Sequence, residues 1–345
     1  MEIKFVNLND DFVRHGGAEK IAVQLHKELK KHNFDCYLMG SNSFSENNPV
    51  YCIDQEDYVK FRFFLFFKWR NSVVISHHRK KTTLVLILNR IFRLNLKIIH
   101  VAQNEFFNLK RFTLLPDNVV AVSNRVKDNL ISYFGINPEN IRVIYNSAPD
   151  YFSEHKSTVE KSKVRSDEVK ILYGARITDV KGQVRLVKHL KGKLPSNIKI
   201  DFAGVGEEAD ELKMLVKDDI NFRYLGYVDL KDYFLNYHYY MLFSSKEGLP
   251  LSIAEACSFK LPVIASDAGG NTEIVENTVN GFIFKSYEDL EHFFNFDIPS
   301  PGGSIYLAMA ENSRQVYENK FREDLMFRNY FSYIEQVTGI GVLSK

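Results

Sequence analysis

The chain is poor in cysteine: Cys36, Cys52 and Cys257 are the only three in 345 residues. An odd number without paired metal-ligand spacing excludes a disulfide framework and a zinc module, and it points to reduced thiols in a cytoplasmic protein. Long apolar runs are also missing. The nearest, TTLVLIL, is cut by Asn89 and Arg90, far short of the roughly 20 residues a spanning helix needs, so no membrane crossing is expected. The opening residues, MEIKFVNLNDD, turn acidic at once and lack the basic-then-apolar order of a secretory signal. They read as a first buried strand. The loop RHGGAEK lacks the G-x-G-x-x-G spacing and so is not a dinucleotide fingerprint. No recognised nucleic-acid module is present and the formal net charge is only +2, which argues against a nucleic-acid partner.

The apolar share of 45% and charged share of 26% are those of an ordinary globular protein, and the length suits two domains. After the strand at Ile3 to Leu8 come the loop NDDFVRHGG and a helix in which Ile21, Leu25 and Leu29 share one face. Strand candidates CYLMG, SVVIS, LKIIHVA, NVVAVS and IRVIYN follow, alternating with helices as in an open parallel sheet. This Rossmann-like domain is expected to span 1–150. The almost wholly polar stretch EHKSTVEKSKVRSDE reads as a linker, bounded at 151–168. The strand and helix alternation then restarts with VKILYGA, giving a second doubly wound domain over 169–310. The α/β class with two such domains facing across a cleft places the site beyond the carboxyl ends of the strands. Residues 311–345 read as C-terminal helices; Tyr317, Phe321, Phe327 and Tyr330 suit packing back on the first domain or a core role in the second.

Charge is unevenly spread. From Lys60 to Arg111 twelve Lys and Arg face one acid, Glu105, which asks for an anionic partner. Within it, Tyr58 to Arg70 reads YVKFRFFLFFKWR. That mixture suits either the headgroup region of an anionic membrane or a core helix with charged flanks.

The most informative stretch is SSKEGLPLSIAEACSFKLPVIASDAGGNTEIV. Glu247 sits in a loop and Glu255 in a helix opened by Pro250. Gly248, Leu249, Pro250 and Leu251 bring that helix start, with its unpaired amides and positive dipole end, to where a phosphate would sit between the two acids. The stretch, with the following NGFIF, resembles the E-x7-E signature of glycosyltransferase family 4, retaining enzymes of the GT-B fold. The resemblance implies that Glu247 binds hydroxyls of a donor sugar and Glu255 the nucleotide ribose. It also implies that Arg176 and Lys181, in GARITDVKG, hold the donor diphosphate, where fixed cations stabilise the charge that grows on the leaving group. No Asp-x-Asp appears, which fits a reaction needing no metal or other cofactor.

Gly16 and Gly17, in a GGAE loop the family shares, are expected to bring backbone close to the donor or acceptor through glycine's access to positive φ. Gly270 and Asn271 in the turn SDAGGN are secondary candidates for sugar contact. Relatives often carry a histidine after the strand matching LKIIHVA, where this chain has Gln103. His77, His78 and His100 are the other candidates near that place, and the sequence does not choose among them. The retaining front-face mechanism implied by the family uses a donor phosphate oxygen to take the acceptor proton, so Gln103 serves to orient the sugar. The expectation is a cytoplasmic, peripherally membrane-associated transferase that moves a sugar from a nucleotide-sugar to a hydroxyl of a surface glycan or lipid-linked acceptor. The competing readings are a non-catalytic partner that keeps the fold, and a nucleotide-sugar epimerase.

Overall fold

A computed structural model describes residues 3–13, 16–150, 152 and 167–341, without the side chains of 64 and 65. The chain packs as two compact units, one of residues 1–146 and 324–345, the other of residues 147–323. Among the described residues no helix is long and apolar enough to cross a membrane.

The first unit is built on β1 (Lys4–Leu8), β2 (Asp35–Gly40), β3 (Tyr58–Lys60), β4 (Val73–Ser76), β5 (Lys97–Ala102), β6 (Val119–Ala121) and β7 (Ile141–Val143). All pairs are parallel, in the order β3-β2-β1-β4-β5-β6-β7. The strands are short apolar runs because helices cover both faces of a parallel sheet; every residue of β4, for example, is buried. Helices α1 (Gly17–Lys31), α2 (Arg79–Phe92) and α3 (Asn124–Asn129) make the crossovers. Strand order reverses between β1 and β4, so their carboxyl ends open the crevice where such sheets bind ligands.

The basic aromatic segment is not one core helix with charged flanks. Tyr58–Lys60 is the edge strand, and Phe63–Trp69 is a tight helical turn leading to β4. Phe66 is in the core at 1% exposure, with Phe61 and Trp69 packed against the same cluster. Trp69 also meets Tyr37 edge-on at 5.2 Å between ring centroids. Aromatics that cap a sheet edge are consumed by it, leaving Phe63 and Phe67 exposed.

The second unit carries β8 (Val169–Gly174), β9 (Ile198–Ala203), β10 (Phe222–Gly226), β11 (Tyr239–Leu242), β12 (Val263–Ser266) and β13 (Gly281–Phe284). Their order, β10-β9-β8-β11-β12-β13, is again all parallel, with the reversal between β8 and β11. Its helices are α4 (Gln183–Leu190), α5 (Ala209–Leu215), α6 (Leu251–Ser258), α7 (Asn271–Ile274), α8 (Tyr287–His292) and α9 (Ser304–Lys320). Residues 147–150 pack with this unit: the Ala148 amide donates to the Phe321 carbonyl at 3.0 Å, Tyr317 Oη donates to the Ala148 carbonyl at 2.9 Å, and Arg314 grips Asp150 at 2.7 and 2.8 Å.

Helix α10 (Glu323–Thr338) belongs from Asp324 onward to the first unit, where Phe331 meets His32 edge-on at 5.0 Å. The terminal aromatics therefore divide: Tyr317 and Phe321 are buried with the second unit, Tyr330 with the first. The sequence-expected linker lies outside the described residues, apart from Phe152, Asp167 and Glu168.

Candidate active site

In the second unit the loops after β8 and β11, the two strands at the reversal, are laced to each other. Tyr173 stands near the end of β8 and is fully buried. Its hydroxyl accepts from the Phe243 amide at 2.8 Å and donates to the Lys181 carbonyl. The Ser245 amide donates to the Val180 carbonyl at 2.8 Å, and Gln183 Nε2 donates to the Arg176 carbonyl at 3.1 Å. Burial pushes the Tyr173 phenol well above its ordinary pKa, so it stays a neutral hydrogen-bonding post. Tyr173 was not singled out from the sequence. The available signal was a phenol inside an otherwise aliphatic strand, because a buried tyrosine hydroxyl needs a partner.

Lys181 Nζ meets Glu247 Oε1 at 2.5 Å, with the Glu247 side chain only 8% exposed. Two residues 66 apart in sequence thus form a largely desolvated ion pair. Arg176 is exposed, and its guanidinium has no ion-pair partner among the described residues. Glu255 is half-buried on α6, which starts after Pro250 with no side chain capping its first amides. Pro250 is therefore the residue before the helix rather than its first-turn residue. Gly248, Leu249 and Pro250 are buried and Leu251 half-buried beneath that helix start. Burial, opposed by a Ser252 hydrogen bond and reinforced by the charges of Glu255 and Glu247, raises the pKa of Tyr240. Both acids therefore act on the neighbourhood of one phenol.

The Gly269–Gly270 turn does more than turn the chain. A Cβ on Gly269 would lie 1.7 Å from the Glu247 carbonyl oxygen, and one on Gly270 would lie 2.1 Å from that of Gly248. Gly269 also sits at φ +50°, in the left-handed region that glycine tolerates. The Gly270 amide donates to the Glu247 carbonyl at 3.3 Å. Asn271 is fully buried, and its Nδ2 donates to the Ser266 carbonyl at 3.0 Å, so it braces the turn. These residues press the Glu247 loop into place from behind.

Gly16 and Gly17 do not use positive φ. Gly16 is the extended residue preceding α1 at φ −135°, and Gly17 is that helix's first residue. The nearest neighbour to a Cβ on Gly16 would be Glu19 Oε2 at 2.3 Å. The close approach there is to the end of the chain's own flexible Glu19 side chain at the start of the helix.

In the first unit a cavity of ≈ 310 Å³ opens at the carboxyl ends of β1, β4 and β5, with Asp10, Glu19, His77, His78 and Gln103 in its walls. His100 lines it too, with its Nδ1 2.8 Å from the hydroxyl of Thr82 on α2. His77 follows β4 directly and is buried, its Nδ1 3.4 Å from Gln103 Nε2. Gln103 Oε1 in turn accepts from Asn146 Nδ2 at 2.9 Å. That bond turns the Gln103 amide nitrogen toward His77, so Nδ1 accepts and the imidazole proton sits on Nε2. His77 Nε2, His78 Nδ1 and Asn146 Oδ1 have no hydrogen-bond partner among the described residues. Desolvation, with a smaller push from His100, brings the His77 pKa down to about 3, and desolvation does the same for His100. Both are neutral imidazoles near pH 7.

A second cavity, ≈ 340 Å³, lies at the opposite ends of the second unit's strands, between Lys170, Asp201, Arg223 and Tyr237. Its charges answer one another, since Asp201 accepts from Arg223 Nε at 3.1 Å and from the Tyr237 hydroxyl at 2.6 Å. It does not coincide with the loops just described.

Comparison with known proteins agrees with this fold. Residues 155–295 match the family model described as glycosyl transferases group 1, and residues 15–149 match glycosyltransferase family 4. The chain is 31% identical over 183 residues to the O-antigen biosynthesis glycosyltransferase WbnH of Escherichia coli, covering 52% of this chain. That match spans 50% of the relative's own length. It is 26% identical over 316 residues to the amylovoran biosynthesis glycosyltransferase AmsD of Erwinia amylovora, covering 84% of this chain and 88% of the relative. Among solved structures, Anabaena Alr3699/HepE in complex with UDP superposes with a TM-score of 0.79 at 16% identity, covering 97% of this chain and 100% of that one. The two family models between them take in both parallel-sheet units, and the chain belongs to glycosyltransferase family 4, with the GT-B fold.

Proposed function

We propose that the protein transfers a sugar from a nucleotide-sugar to a hydroxyl acceptor with retention of anomeric configuration, in the assembly of a bacterial surface glycan or glycolipid. One observation carries this reading: the Lys181–Glu247 pair and the exposed Arg176, whose guanidinium has no ion-pair partner among the described residues, stand together on the two loops at the second unit's strand reversal. A cation pair with a carboxylate between sheet ends suits a sugar diphosphate, whose two parts need opposite charges side by side.

In this reading Arg176 and Lys181 hold the diphosphate, Glu247 accepts hydrogen bonds from sugar hydroxyls, and Glu255 holds the ribose. The amides at the start of α6 face a phosphate oxygen. Gly270 and Asn271 act through the Glu247 loop they support. The anomeric carbon–oxygen bond to the diphosphate breaks as the acceptor oxygen bonds the same face. The acceptor proton passes to a phosphate oxygen, and the nucleoside diphosphate leaves. Arg176 and Lys181 stabilise the charge that accumulates on it, and no metal ion is assigned to that task. The partner at the other end is a glycan or lipid-linked acceptor, for which the cavity beside His77 and Gln103 offers hydrogen-bonding walls.

Two kinds of support come from relatives: WbnH and AmsD are named for O-antigen and amylovoran biosynthesis, and the Anabaena structure contains UDP. Screening nucleotide-sugars for slow donor hydrolysis tests the proposal, with Glu247→Ala as control and chelator added to a parallel series. Hydrolysis of one donor, lost in Glu247→Ala and insensitive to chelator, is the expected result. If no donor is bound or hydrolysed, the transferase reading fails; sensitivity to chelator removes its metal-free form.

A further inference from the structure

We propose that the face of the first unit made by α2 and the connection from β5 to β6 docks on an anionic lipid surface. After Gln103 the chain forms the loop EFFNLKRFTLLP, which sequence composition did not separate from its surroundings. Phe107, Leu109, Phe112 and Leu114 all stand exposed on it, Phe112 at 78%.

The base of this loop is firmly built. Arg79 donates to the Asn108 carbonyl at 2.8 Å and to Asn108 Oδ1 at 2.7 Å, with its guanidinium 4.3 Å from the Phe106 ring centroid. Asn129 accepts from the Phe106 amide at 2.9 Å and donates to its carbonyl at 3.2 Å. The outward side chains are thus presented by a fixed support.

The apolar surface continues onto the helix. Thr83 on α2 accepts from the Leu114 amide at 3.0 Å and donates to the Leu114 carbonyl at 3.2 Å. Thr83, Ile87 and Ile91 follow at i, i+4 and i+8, which is one helical face, and both isoleucines are exposed, Ile91 at 64%. Lys80, Arg90, Lys110 and Arg111 are exposed on the same two elements. The only acid between residues 79 and 116 is Glu105, which is buried and 3.6 Å from Arg125.

Contiguous exposed apolar side chains mark an interaction site, and the charges select its occupant. Apolar tips that enter the acyl boundary, with cations at the phosphates, are the pattern of an interfacial anchor. Nucleic acid fits less well, because four of the six outward apolar groups are aliphatic and offer no ring for base stacking. A second copy of the chain would set like charges against each other. This docking does not depend on the donor chemistry proposed above.

The test is sedimentation of the full chain with vesicles of phosphatidylcholine alone or with added phosphatidylglycerol, at low and high salt. Binding is expected on the anionic vesicles and to weaken with salt. It should fall by about tenfold or more in Phe112→Asp/Leu114→Asp and in Lys110→Ala/Arg111→Ala, with thermal unfolding midpoints unchanged. Phe63→Asp/Phe67→Asp should bind within about threefold of wild type, since those side chains belong to the edge-strand turn. Absence of binding to both vesicles, equal binding to both, or undiminished binding by the loop variants would overturn the proposal. So would a larger loss in the Phe63 and Phe67 variant, or a wild-type dimer dissolved by the loop substitutions.

Discussion

The two sheets reverse strand order in the same way yet furnish their reversal points oppositely. In the second unit two charged groups are already matched, Lys181 and Glu247 at 2.5 Å, and close-packed glycines and Tyr173 hold the loops that carry them. In the first unit the cavity at the corresponding place sets neutral imidazoles beside Asp10 and Glu19, and His77 Nε2 and His78 Nδ1 have no hydrogen-bond partner among the described residues. A site that must receive a highly charged ligand gains from cations fixed in advance, whereas hydroxyl groups are better met by neutral donors and acceptors. On the proposed function, the difference suits the second unit to the diphosphate and the first to hydroxyl recognition.

The largest effect that bears on this contrast is expected at the ion pair. Lys181→Ala should lower donor turnover by about 10²- to 10³-fold and leave Glu247 as a buried, uncompensated carboxylate, at about 3 kcal/mol in stability. Because the two side chains act together, the double variant with Glu247→Ala should be less harmful than the sum of the single losses. Urea titrations and hydrolysis rates across the four proteins measure this; strict additivity would mean that the observed contact has no energetic weight.

Next comes Gly269→Ala. The added methyl collides with the Glu247 carbonyl at a backbone angle glycine alone holds easily, so roughly 2 to 4 kcal/mol should be lost. Gly135 has a positive φ of 76° too, but its Cβ would meet nothing within 4 Å. Gly135→Ala should cost only about 1 kcal/mol, and similar melting shifts for the two would remove the packing argument.

The same contrast explains what could be read in advance. Glu247, Glu255, Arg176 and Lys181 were legible as candidates because the short motifs around them resemble the family's, three of them in loops after strands and Glu255 on α6. That Lys181 pairs with Glu247 was not, since the contact is made by neighbouring strands 66 residues apart in the chain. Alternation of apolar runs gave the parallel sheets, but the aromatic content of Tyr58 to Arg70 concealed a strand and a turn. Composition does not tell which rings will cover a sheet edge. Gly16 and Gly17 show the converse error, in which a residue's permissiveness was taken for its conformation.

Acid should act more strongly on the first unit than on the second. His77 and His100 have folded pKa values near 3, below the ordinary 6.5, so the unfolded chain binds more protons between those limits. Stability therefore falls as pH drops from about 6.5 toward 3 and is fully present above that window, by a few kcal/mol in all. His100→Gln should flatten this slope in urea midpoints taken at successive pH values; an unchanged slope would show that the His100 ring is not held neutral.

The smallest effect tests the relay from Asn146 through Gln103 to His77. Gln103→Ala removes one hydrogen bond on each side and should cost about 1 kcal/mol, or roughly fivefold in turnover if the residue only orients its neighbour. Gln103→His should leave turnover near wild type or improve it, and complete loss would count against a positional role. Gln103→Glu is the sharper variant, because a carboxylate still accepts from Asn146 but no longer donates to His77 Nδ1. The imidazole proton should then move from Nε2 to Nδ1, and the added negative charge should raise the His77 pKa toward its ordinary range. Nitrogen chemical shifts of the ring report both changes directly, whatever happens to turnover. An Nδ1-protonated ring in the wild type would mean that Gln103 does not set the tautomer, and the first unit would lose its fixed donor at Nε2.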